Sequence, residues 1–202
     1  MNSIKKNLKR ERANIKRNYF LSYFILILIA YFTYMIINLQ LLTGWEVYFT
    51  IFYAVVIEIL LIVNIIKTYV ETRFKFEIAD NRVKIRSFLS EPFSFQTSKV
   101  VYVDVVQGKN IFDIIIVLNK VKRNKKLISL KASAEKESNL KRISNFLNQK
   151  YENDDFYYYI IKNGGYKKFN YLFKLYKNCF EAEFSRMAME YVKQFMEEYN
   201  LS

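Results

Sequence analysis

Acid–base, nucleophilic and metal chemistry each need particular side chains, and this chain is short of them: no His, one Cys, one Pro and four Gly in 202 residues. Without His or paired Cys, the usual ligands of a zinc or haem site are missing, and so is the usual general base of a Ser or Cys hydrolase. Gly44, Gly108, Gly164 and Gly165 are too scattered to build a phosphate-cradling loop or a dinucleotide fingerprint. Cys179 stands alone, which excludes an intrachain disulfide and fits a reducing compartment and an unreactive, partly buried thiol. The expectation is no catalytic residue, no cofactor and no metal; an enzyme is the last of the candidate functions.

What remains is charge. The formal net charge is +13, which points to an anionic partner. Two groups of basic residues stand out. Arg73, Lys75, Arg82, Lys84 and Arg86 alternate with apolar residues, interrupted by Glu77, as one polar face of a strand pair would. Lys120, Lys122, Arg123, Lys125 and Lys126 crowd into one short stretch, expected as a hairpin tip. A third feature is a lone acid, Glu58, inside an otherwise apolar run. A carboxylate in hydrocarbon is costly unless paired or protonated, and Tyr31, Thr33 and Tyr34 are expected at comparable depth, with Asn64 further along the same helix. Glu58 then reads either as a helix-pairing or oligomer contact, or as part of a proton or ion pathway that requires several copies.

These residues need elements to carry them. Residues 19–42 hold no formal charge over 24 positions, about 36 Å of helix at ~1.5 Å per residue. Residues 47–66 hold only Glu58. The four residues between are too few for a folded loop, so the two spans are expected as antiparallel neighbours in a transmembrane hairpin, 19–67. Trp45 and Tyr48 suit the far interface; Tyr19, Tyr23 and Tyr69 suit the near one. Lys5, Lys6, Lys9, Arg10, Arg12, Lys16 and Arg17 precede the first span, Lys67, Arg73 and Lys75 follow the second, and the connection has no Lys or Arg. The positive-inside rule then predicts a multi-pass protein of the cell membrane with both termini cytoplasmic. Residues 1–18 form a basic arm, either a solvated tail or an amphipathic helix on the headgroups.

After the spans the periodicity changes to two. Strands are expected at 73–78 and 82–86 around a turn at Asp80 and Asn81, then at 93–96, 100–106, 112–118 and 126–131. Ser133 is positioned as an N-cap for a helix whose face is Leu140, Ile143, Phe146 and Leu147. This element order over residues 74–149, with the stretches 81–85, 99–106 and 114–118, resembles bacterial pleckstrin-homology-like (PH-like) membrane proteins with an N-terminal two-helix hairpin. The resemblance implies a membrane α+β fold: a PH-like antiparallel sheet capped by a helix, at 68–150, serving as a docking scaffold. The spacing of Lys75, Arg82, Lys84 and Arg86 is similar to the basic signature by which some eukaryotic PH domains hold phosphoinositide headgroups.

Residues 151–202 are expected as a helical extension, longer than a minimal domain of this kind needs. Tyr166, Phe169, Phe173 and Tyr176 define the face of a short helix, and Phe180, Phe184, Met187, Tyr191 and Phe195 that of a longer one. They either pack on the parent domain or bind elsewhere. A domain tethered to the bilayer meets anionic headgroups at high effective concentration, each basic residue near the surface contributing ~1 kcal/mol. Nucleic acid is not expected as a partner, since neither aromatic platforms nor a groove helix flank the charges. The leading expectation is a non-enzymatic scaffold or regulatory subunit facing the lipid or a protein partner. The alternatives are a subunit of an oligomeric transport, secretion or pore-forming assembly, and a protein that shields a toxin's membrane target.

Overall fold

The computed structural model describes residues 3–39, 42–88, 90–108, 111–119, 126–135, 137–151 and 155–201. It divides into two compact units: one is Lys9–Thr72, the other Met1–Leu8 with Arg73–Ser202.

The first unit is two helices, α1 (Ile4–Asn38) and α2 (Trp45–Thr72). Helix α1 therefore takes in most of the expected basic arm and stops before residue 42, and Trp45 opens α2 instead of standing in the connection. Gly44 supplies a left-handed residue there, φ +65°, a conformation glycine adopts without a Cβ clash. Both helices are long and apolar enough to cross a membrane, and only 6% of the most apolar window in each is buried. That exposure sets them apart from the core helices of a soluble protein. Along the apolar stretches, buried and half-buried residues recur in one stripe per helix: Ser22, Leu26, Ile29, Thr33 and Ile36 on α1, Val47, Thr50, Ile51, Ala54, Glu58, Leu61 and Ile65 on α2. These steps of three and four are the seam of two packed helices. The Asn64 amide donates to the Ser22 hydroxyl at 3.3 Å. Each partner lies well back from the connection on its own helix, which makes the pair antiparallel.

The second unit is α+β. A three-stranded antiparallel sheet runs β1 (Lys75–Ala79), β2 (Arg82–Ser87), β3 (Ser90–Gln96), in that order. A 3₁₀ turn, Thr97–Lys99, leads to β4 (Val100–Gln107) and β5 (Phe112–Asn119). Then come β6 (Ile128–Ser129), α3 (Leu130–Ala134), α4 (Ser138–Lys150), β7 (Phe156–Ile161), α5 (Lys168–Asn178), β8 (Glu183–Phe184) and α6 (Arg186–Tyr199). The second sheet has the order β6-β7-β5-β4-β8 and is mixed, because β8 pairs parallel to β4.

Strand β5 lies at the centre and is apolar on both faces. Ile115 and Val117 meet Leu140, Ile143 and Leu147 of α4; Ile114, Ile116 and Leu118 join Phe76, Val83, Ile85, Phe93 and Phe95 of the three-stranded sheet and Leu172, Leu175, Val192 and Phe195 of α5 and α6. A strand covered twice loses the alternation of a half-exposed one, hence its unbroken apolar run.

The strand expected at 126–131 is two residues long, and Ser133 lies inside α3 instead of capping the long helix. The residue before that helix is Glu137, whose side chain makes no cap hydrogen bond. A five-residue helix, α3, and the separate thirteen-residue α4 stand where the spacing suggested a single helix. The expected boundary at 150/151 does not separate units, because β7 pairs with β5 at six positions and inserts between β5 and β6. A helix thus precedes the last long strand, unlike a sheet closed by one terminal helix.

Candidate functional site

The basic face is built by a hairpin. Asp80 and Asn81 both adopt positive φ, 55° and 56°, the geometry of a two-residue hairpin loop whose twist matches its strands. The register sets Lys75 opposite Arg86, Glu77 opposite Lys84 and Ala79 opposite Arg82, with Ser94 and Gln96 of β3 continuing the rows. Side chains directly opposite in register share a face, so Lys75, Glu77, Arg82, Lys84 and Arg86 line one side. Phe76, Val83, Ile85, Phe93 and Phe95 are buried on the other. Lys75, Arg82 and Arg86 are exposed, as is Arg73 just before β1. Lys84 is half-buried and pairs with Asp80 at 3.5 Å. The loop is tied down: the Thr97 amide and hydroxyl both donate to the Asn81 carbonyl, at 2.9 and 3.2 Å.

Of the second basic group, Lys120, Lys122, Arg123 and Lys125 lie outside the described residues. Lys126 is half-buried and its ammonium donates to the Glu91 carbonyl, so it binds the β3 strand. In the helical unit, Glu58 and Thr33 both fall on the seam, whereas Tyr31 and Tyr34 are 57% and 63% exposed and point away from it. With Ser22 facing Asn64, the six-residue step back to Glu58 brings it opposite Leu28 and Ile29. Tyr31, Thr33 and Tyr34 lie further along α1, toward the connection.

Three polar arrangements were not anticipated. Asp104, fully buried in β4, accepts from the Arg142 guanidinium at 2.7 Å and from the Val105 amide at 2.8 Å. Burial, then the Asp104 charge, push the Tyr102 phenol up. Lys168 is buried, donating to the Phe112 carbonyl at 2.6 Å and to Asp113 at 2.8 Å. Glu198, in the last turn of α6, accepts from the Ile4 amide at 2.6 Å, the Lys5 amide at 2.7 Å and the Ser3 hydroxyl. Ile4 is fully buried beside it, and the Lys5 ammonium sits 4.6 Å from the Tyr199 ring centroid. Partial burial alone would raise the Glu198 carboxyl; the hydrogen bonds from Ser3, Lys5 and Ile4, and the Lys5 charge, hold it below its ordinary value. An acid within a β-prone run marks Asp104 in the sequence. Nothing local marks Glu198.

Comparisons with family models, with curated proteins and with solved structures returned no match. The described geometry is a basic sheet face whose hairpin loop is held by Thr97.

Proposed function

We propose that this chain is a membrane-anchored, non-enzymatic scaffold or regulatory subunit: α1 and α2 cross the cell membrane, and the basic face of β1–β3 meets the anionic headgroups of the cytoplasmic leaflet. The observation that carries the reading is the register that collects Lys75, Arg82, Lys84 and Arg86 on one face of a pinned hairpin. Lysine and arginine near an anionic surface contribute about 1 kcal/mol each, and a tether multiplies the effect through effective concentration. Two features support the hairpin topology. The basic flanks of both spans favour the cytoplasm. The first turn of α1 also belongs to the same compact unit as everything after α2, as two crossings require. The PH-like resemblance fits a sheet with α4 packed on it; β7, added after that helix, departs from the pattern.

The test is reconstitution of the full chain in nanodiscs of phosphatidylcholine alone or mixed with phosphatidylglycerol, with a fluorophore on Ser94→Cys and a lipid-borne acceptor. Energy transfer is expected to rise in the anionic discs, and to fall back with added salt and in the triple variant Arg82→Glu, Lys84→Glu, Arg86→Glu. Equal transfer in both lipids, with loss of a captured membrane protein in the triple variant, would shift the face's role to protein recruitment.

A further inference from the structure

Glu58 has a property that membrane anchoring does not use. It lies on the α2 seam, half-buried, eight residues in from Ile66, about 12 Å at helical rise. The α1 residues at its level, Leu28 and Ile29, are apolar, and Glu58 has no hydrogen-bond or ion-pair partner among the described residues. The polar pair nearer the cytoplasmic end, Ser22 and Asn64, is joined to itself by a hydrogen bond. Between Tyr19 and Ile66 the chain has no Lys or Arg. A carboxyl group in hydrocarbon is costly without an opposite charge or a hydrogen-bond partner, and neither helix of the hairpin provides one at that depth.

We propose that Glu58 is the docking point for a transmembrane helix of a different protein, one that brings a Lys or Arg to the same depth. The occupant follows from charge complementarity. A second copy of this chain would bring only another Glu58 and no opposite charge. A basic partner helix instead neutralises the acid and adds charge-assisted hydrogen bonds. Such a helix seats beside α2 at Glu58, which remains partly open. The inference rests on the spanning reading of α1 and α2.

The experiment uses the full chain in phosphatidylcholine vesicles and two synthetic spanning peptides of Leu and Ala, one with a single central Lys and one with Leu in its place. Energy transfer between labelled chain and peptide should show about tenfold tighter association with the Lys peptide. That preference should vanish in Glu58→Gln and Glu58→Leu. Equal association with both peptides overturns the proposal. So does transfer between differently labelled copies of the chain that is lost in Glu58→Gln, which makes Glu58 a contact between like subunits. Flotation of each variant with the vesicles is the control: a wild-type chain that fails to float removes the spanning reading and this inference together, whereas one that floats without peptide preference removes this inference alone.

Discussion

Glu198 takes the place of a helix cap for a helix nearly two hundred residues away in sequence. The first amides of any helix lack partners within it, and at α1 two of them donate to the Glu198 carboxylate. Because hydrogen bonds hold the folded carboxyl below its ordinary value, the contact stabilises the fold above the unfolded value of about 4 and is lost as pH falls through the folded value. Hydrogen exchange at the Ile4 and Lys5 amides should therefore be slow at neutral pH and quicken below about pH 4 beyond its intrinsic trend. Glu198→Gln should lose that acid-dependent step. Lys168 offers a sharper contrast. Lys168→Met strands the Asp113 carboxylate in a mostly buried site and should cost about 3 kcal/mol in urea unfolding, while the double variant with Asp113→Leu should recover part of the loss. The Cys179 thiol, pushed up to about 12 by burial, should resist alkylation at pH 8 in the folded chain and react readily once unfolded.

At the scale of elements, period and turn chemistry carried most of what was legible. Two-residue alternation around Asp80 and Asn81 marked β1 and β2, and the unbroken apolar run marked the doubly covered β5. The C-terminal helices were legible as helices and in part of their faces: Phe169 and Phe195 are buried, and Tyr166, Phe173, Phe184 and Tyr191 pack against the core. Aromatic spacing pointed to Tyr166, Phe169, Phe173 and Tyr176, yet α5 buries Phe169, Tyr171, Leu172 and Leu175 and leaves Tyr176 exposed. Likewise Phe180 and Phe184 precede α6, Met187 is exposed, and the buried line is Ala188, Val192 and Phe195. Tyrosine and methionine sit comfortably at a boundary, so the aliphatic residues were the better guide. Strand β7 was hidden because its aromatic run alternates on a central strand whose partner β5 lies more than thirty residues earlier. The turn into α5 depends on Gly164, at φ +114°, where an added Cβ would lie 2.7 Å from Tyr171 Cε2. Gly164→Ala should cost about 2 kcal/mol or more by strain and clash, read as a lower urea midpoint at unchanged slope.

For the molecule as a whole, the apolar spans were the plainest signal in the sequence: two consecutive helices, each long and apolar enough to cross a membrane. The basic face was legible as an alternating charge pattern, but the contact that ties its loop was not, because Thr97 lies sixteen residues downstream of Asn81. Glu198 and Ile4 lie at opposite ends of the chain, where no local periodicity connects them. The central claim is the membrane hairpin with the basic domain on the inner side. It is tested most directly in a Cys179→Ser background by placing single cysteines at Thr43 and at Lys75 and treating intact cells with a membrane-impermeant maleimide. The account predicts labelling of Thr43→Cys from outside and of Lys75→Cys only after lysis; labelling of Lys75→Cys on intact cells, or a chain released into the supernatant by an alkaline wash, would contradict it.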